Sequence, residues 1–203
     1  MAGLFVTLEG IDRSGKTTQA RLLCEALGEL ALGVREPGGT EVGERVRAIL
    51  KDPAIRPTPE AEALLFAAAR AQLVADVIRP ALEAGRVVVS DRFLDSSLAY
   101  QGVARELGLD EVELINRFAT GGLVPDLTIL LELEPVEAAT RAGERDRFEE
   151  EGIELQRRVL AAYEELAAAD PGRWRRVDAA RSPEEVHADV LAAVTAARSG
   201  APA

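Results

Sequence analysis

The chain has 203 residues, 47% of them hydrophobic and 29% charged, and a formal net charge of −11. That length suits one domain with a sizeable core, and the balance is that of a folded globular protein rather than a disordered one. The acidic surplus excludes a broad electrostatic footprint on nucleic acid or an anionic membrane, and a single cysteine, Cys24, excludes an internal disulfide or a cysteine metal cluster.

The first apolar run, "LFVTLE" at 4–9, has the length of a buried strand. "MAGLFVTLEG" lacks the basic start of a signal peptide, and no apolar run reaches the ~18 residues of a membrane span, so a cytoplasmic protein is expected. Further strands are predicted at 33–36, 86–91, 126–133 and 173–178, two of them nearly continuous in Val, Ile and Leu as in parallel sheets covered on both faces. Helical patterns fill the intervals at about 16–30, 41–51, 58–84, 94–106, 110–120, 135–142, 151–169 and 183–198. The last opens on "SPEEV", with serine as cap and proline in the first turn.

Alternation of this kind predicts an α/β fold, a doubly wound five-stranded parallel sheet with helices on both faces. Residues 1–198 should form one domain, and 199–203 a disordered tail. Cys24 and Trp174 read as buried packing residues, and the sole histidine, His187, as a surface or capping residue. The densely charged "AGERDRFEEEG" at 142–152 reads either as a solvated helix start or as a short lid over phosphates.

The chemistry starts at "GIDRSGKT", residues 10–17, which fits G-x-x-x-x-G-K-[ST] between a predicted strand and a predicted helix. Gly10 and Gly15 allow the backbone N–H groups of Ile11, Asp12, Arg13 and Ser14 to converge on phosphate oxygens. Lys16 is one of only two lysines; it reaches the β- and γ-phosphates, while Thr17, followed by Thr18, offers a hydroxyl to Mg²⁺. The helix behind them points its positive end at the nucleotide. This is a nucleoside-triphosphate site of the P-loop NTPase type. Neither lysine follows an asparagine, so the N-K-x-D signature of a GTPase is absent. A small-molecule kinase survives best, against an acceptor-free regulatory ATPase.

Two further stretches supply a second anion site. "REPGGTEVGERVR" (35–47) pairs a glycine turn with Arg35 and Arg47. In "DRFLDSSLAYQG" (91–102), Asp91 at a strand's carboxyl end is placed to hold Mg²⁺ through water, and Arg92 to grip a phosphate. Two facing phosphate grips imply two phosphorylated substrates.

With "LLFAAARAQ", "GGLVPDLTILLEL" and "RDRFE" in the right order and spacing, these stretches resemble the thymidylate kinases of bacteria over roughly residues 3–195. The resemblance implies ATP and dTMP as substrates, Mg²⁺ as cofactor, dTDP as product and a homodimer packed through the helix at 60–84. Phe66 would stack on thymine; Arg70, four residues on, would donate to a base carbonyl, with Ser97 and Gln101 as further base-edge contacts. Tyr100 would lie under the deoxyribose and Asp12 would accept from the 3′-hydroxyl. Arg47 and Arg92 would clamp the monophosphate, with Glu36 also among the substrate-binding residues; Asp91, with Glu9, would shape the metal site. dUMP and dCMP remain alternative acceptors.

Such enzymes carry a charge-stabilising arginine either in the phosphate loop or in the lid. This chain has Arg13 as well as Arg141, Arg145 and Arg147. Arg13 and Arg145 are expected to share the task, with Asp146 and Glu149 as candidates to organise the lid; "DAARS" (178–182) and Arg141 are the candidates around adenine.

Overall fold

The computed structural model describes residues 3–141 and 152–200. The expected lid therefore lies, except for Gly152, outside the described residues, and so do Arg145, Asp146, Arg147 and Glu149. Five strands form one sheet: β1 (Leu4–Glu9), β2 (Ala31–Arg35), β3 (Val87–Asp91), β4 (Leu127–Glu132) and β5 (Trp174–Asp178), in the order β2-β3-β1-β4-β5. Every pairing is parallel, with Val6 of β1 opposite Val89 on one side and Leu127 on the other. The helices are α1 (Lys16–Leu27), α2 (Glu41–Lys51), α3 (Pro59–Leu73), α4 (Arg79–Glu83), α5 (Leu94–Ser97), α6 (Leu109–Thr120), α7 (Pro135–Thr140), α8 (Gly152–Ala169) and α9 (Pro183–Ser199).

Alternation along the strands feeds both faces. Val6, Leu8, Val87 and Val89 join the larger apolar cluster with Leu23 of α1, Val159 of α8 and Val190 of α9. Phe5 and Val88 point the other way, against Leu73, Ile78 and Phe93. Trp174 is buried as expected. Cys24 is only half-buried, because it lies where α1 faces the edge strand β2; a Cβ on Gly33 would come within 3.1 Å of its Sγ.

The predicted elements match the observed ones, with three instructive differences. Strand β2 starts two residues early and releases Glu36, since Pro37 has no N–H to continue the ladder. The helix expected at 58–84 widens into a π-helical segment at Val74–Ile78. Pro80 lacks an N–H and its ring excludes the usual carbonyl, so Arg79 donates five residues back, to Val74. The helix expected at 94–106 likewise widens at Leu98–Ala104, where Arg105 donates to the Tyr100 carbonyl at 2.8 Å.

The parallel sheet gathers all five strand–helix connections at one rim. Sequence order leaves β1 toward β3 and β2 on one side and toward β4 and β5 on the other, so the rim beside β1 is the point where strand order reverses. Ligand crevices of open α/β sheets lie there.

Candidate active site

Strand β1 ends in the phosphate loop. Gly10 has φ 142°, and a Cβ there would come within 2.6 Å of the Leu131 carbonyl oxygen, so glycine is required. Ile11 is buried in the core and anchors the loop from below. Gly15, at φ 99°, turns the chain into α1 without any side-chain cap, which leaves the first N–H groups of the helix to a ligand. The Lys16 ammonium curls back over this loop, donating to the Ile11 carbonyl at 2.6 Å and to Ser14 Oγ at 3.3 Å. Burial, and then the like charge of Arg92, pull its pKa down to about 8 against the opposing pull of Asp91, Asp12 and Glu9. Beside it, the Thr17 hydroxyl donates to Asp91 Oδ2 at 2.5 Å, joining a hydroxyl and a carboxylate at the sheet rim.

Two cavities meet at this loop. One, of about 550 Å³, runs over the start of α1 between the loop residues Arg13 to Gln19 and Arg141, Ala179 and Arg181. The other, of about 310 Å³, opens between the ends of β2 and β3 and the helices α3 and α5. All nine residues expected to bind the acceptor line the second cavity: Asp12, Glu36, Arg47, Phe66, Arg70, Arg92, Ser97, Tyr100 and Gln101. Of the residues expected to bind the donor, Arg13, Ser14, Gly15, Lys16, Thr17, Thr18 and Arg141 line the first; Asp12 lines only the second, and Gly10 and Ile11 line neither and act through loop geometry. Arg13, Lys16 and Thr17 line both cavities.

Arg92 organises the floor between them. At φ 71° its backbone is left-handed, strained for a residue with a side chain. Its guanidinium donates to the Gly10 carbonyl at 3.1 Å, to Ser96 Oγ at 3.1 Å and to Asp12, and it lies 5.1 Å from the Tyr100 ring. Burial alone would raise the Asp12 carboxyl, but the charges of Arg92 and Lys16, with the amide of Gln156, hold it below its ordinary value. Gln156 grips Asp12 twice, donating to Oδ2 at 2.8 Å and accepting the Asp12 N–H at 3.1 Å.

Glu9 does not line either cavity. Its oxygens accept from Phe93 N–H at 2.8 Å, Ser96 Oγ at 2.6 Å and Tyr163 OH at 2.9 Å, so it shapes the turn that carries Arg92 from beneath. Burial, reinforced by Asp95, pushes its carboxyl up to about 7.

Arg70 is 1% exposed and fully engaged. It donates to Glu36 Oε2 at 2.8 Å, to Ser97 Oγ at 3.0 Å, to the Phe93 carbonyl at 3.1 Å and to Asn116 Oδ1, with its ring neighbour Phe93 at 5.4 Å. Burial raises the Glu36 carboxyl and Arg70 opposes that rise. Arg47 donates to the Pro37 carbonyl at 2.9 Å. Phe66 is half-buried on the cavity wall. On the donor side, Arg13 donates to the Arg141 carbonyl at 3.1 Å, and Arg141 to the Ala179 carbonyl at 2.7 Å, tying the loop to the connection after β5.

Sequence reasoning passed over Gln156, Asn116 and Glu62, which hold Asp12, Arg70 and Gln101, and over Lys51 and Ser96, which line the acceptor cavity. Ser96 was legible inside "DSSLAYQG"; the positioning residues carry no local signature.

A phosphate loop at the switch point of a parallel sheet, with a second cation-lined cavity against it, defines a P-loop phosphotransferase that takes two anionic ligands. The family described as "Thymidylate kinase" matches residues 8–190. A thymidylate kinase of Pelotomaculum thermopropionicum is 51% identical over 201 residues, covering 95% of this chain and 93% of the relative. One from Deinococcus radiodurans is 48% identical over 199 residues, covering 95% and 97%. The crystal structure of thymidylate kinase from Ehrlichia chaffeensis superposes with a TM-score of 0.80 at 29% identity, over 96% of this chain and 100% of that one. The chain belongs to the thymidylate kinase family.

The Lys16 value has a direct consequence. Below pH 8 the Lys16 side chain is a charged ammonium; above it the cation is lost, and a bound polyphosphate must restore it. ATP affinity should therefore hold steady from pH 6.5 to about 7.5 and weaken by up to about tenfold per unit above about 8. Titration of a fluorescent ATP analogue across that range measures it, and an affinity flat to pH 9.5 contradicts the assignment.

Proposed function

We propose that this chain transfers the γ-phosphoryl group of ATP to dTMP with Mg²⁺, giving ADP and dTDP in the cytoplasm. One observation carries the reading: two cavities of nucleotide size share a wall of Arg13, Lys16 and Thr17, so two polyanions would meet end to end there. Membership of the thymidylate kinase family, whose reaction is phosphoryl transfer, supports dTMP as the acceptor.

The donor triphosphate lies along the loop amides and the uncapped start of α1, with adenine toward Arg141 and Ala179. The acceptor base enters between Phe66 and the Arg70, Ser97 and Gln101 edge, the sugar rests by Tyr100 and Asp12, and the monophosphate is held by Arg92 and Arg47. A phosphate dianion is already a nucleophile at neutral pH, so no general base is required. Its oxygen forms the new bond to the γ-phosphorus as the bond to the β–γ bridging oxygen breaks. The chain's part is alignment and neutralisation by Lys16 and arginine. Thr17 and Asp91 form an all-oxygen pair suited to Mg²⁺, which prefers one or two carboxylates together with substrate phosphates. When bound there, the ion supplies charge neutralisation at the phosphates.

We also propose a homodimer. The outer faces of α3 and α6, which pack on each other, expose Leu64, Leu114 and Phe118, the last 91% exposed. Large apolar side chains exposed together on two packed helices support an interface there.

A coupled assay should show ADP release dependent on dTMP, with dTDP as the second product. Release of inorganic phosphate without an acceptor would convict the chain of being a regulatory ATPase instead. Lys16→Met should lower kcat/KM by about 10²–10³-fold. Arg13→Ala and Arg145→Ala, assayed separately, should each cost roughly 10²-fold or more in kcat if both reach the transferred group; near-normal turnover removes that residue from the mechanism. Sedimentation should give a dimer for the native chain and a monomer for Phe118→Glu, and a native monomer refutes the interface.

A further inference from the structure

Gln101 and Glu62 form a buried hydrogen-bonded pair at the wall of the acceptor cavity. Gln101 lies in the π-helical segment Leu98–Ala104 and lines the cavity, although it is only 2% exposed. Its Nε2 donates to Glu62 Oε1 at 2.9 Å. Glu62, in the first turn of α3, is 1% exposed and does not line the cavity. Arg105 fixes its carboxylate, donating to Oε1 at 3.2 Å and to Oε2 at 3.3 Å.

A carboxylate accepts hydrogen bonds and cannot donate them, so an amide beside it must turn its NH₂ group toward it. The remaining amide atom, Gln101 Oε1, is then the one left for a base in the cavity that Gln101 lines. We infer that Glu62, from behind the wall, holds Gln101 with its carbonyl oxygen toward the base, and so makes the cavity select a pyrimidine whose N3 carries a proton. This deepens the proposed dTMP reading and rests on it. Thymine and uracil offer an N3–H donor to that oxygen. Cytosine offers a bare N3 lone pair, which opposes the Gln101 oxygen and leaves it unpaired in a buried place. Glu62 is thus a positioning residue that acts through Gln101, and the wide π turn is what carries Gln101 back to meet α3.

The substitution Glu62→Gln isolates the effect. It keeps the shape but gives residue 62 an amide that can both donate and accept, so the Gln101 amide gains access to the reversed orientation. The ratio of kcat/KM for dTMP to that for dCMP should fall about tenfold or more, through a higher KM for dTMP and a lower one for dCMP. The rest of the cavity lining is unchanged, so the ratio falls without inverting. The ratio for dTMP against dUMP should not move, because both bases carry the N3 proton and differ only by a methyl group; neither should KM for ATP. A second variant, Gln101→Met, removes both amide atoms and should lower the dTMP-to-dCMP ratio in the same selective way.

An unchanged dTMP-to-dCMP ratio in Glu62→Gln overturns the inference. So does a parallel collapse of the dTMP-to-dUMP ratio, which would report a loosened pocket rather than a reversed amide. Native enzyme that uses dCMP as readily as dTMP, or that fails to use dTMP, instead defeats the underlying functional reading.

Discussion

The guanidinium of Arg92 is the interaction on which the site depends. It is the group that ties the end of β1, through the Gly10 carbonyl, to Asp12 of the loop and to Ser96 and Tyr100 on the far side of the cleft. Its left-handed backbone is tolerated because the surroundings fix it: the Arg92 N–H donates to the Leu8 carbonyl at 3.1 Å, and the next residue's N–H is taken by buried Glu9. A cation held this firmly can serve two ends. It compensates the Asp12 carboxylate, and it presents a forked donor where a monophosphate would lie.

The rim concentrates positive charge in a protein whose overall balance is strongly negative. Arg13, Lys16, Arg47, Arg70 and Arg92 converge on one cleft, and the uncapped end of α1 adds its dipole. Field lines in a cleft with low-dielectric walls are focused, so nucleotides are drawn to the mouth while the acidic exterior repels longer polyanions. The same burial that strengthens these charges raises the cost of leaving any of them unpartnered, which accounts for the dense bonding of Arg70 and Arg92.

Much of this was legible in the sequence because it is local. The glycine spacing of residues 10–17, the apolar strand runs and the serine–proline start of α9 each act over a few residues, and each appears in the structure where the pattern places it, β2 alone being shifted toward the N-terminus. What escaped is non-local. Asn116 holds Arg70 across 46 positions, Glu62 holds Gln101 across 39, and Gln156 holds Asp12 across 144. Each is a polar residue on a helix whose pattern reads as ordinary, and only the fold brings it behind a site residue. The two π-helical segments were hidden for a related reason: a five-residue hydrogen-bond step leaves the apolar periodicity almost intact. Proline at position 80 was the one readable hint.

Lys16 is fastened to its own loop, on the Ile11 carbonyl and Ser14 Oγ. The cradle is thus braced by its own hydrogen bonds, so phosphate oxygens can take the place of one set of oxygen partners without rebuilding the chain. Little ordering entropy is left to be lost at that moment. Encounter at this half of the cleft should then be governed by diffusion and charge, and any slow step in the cycle has to be sought elsewhere in the molecule.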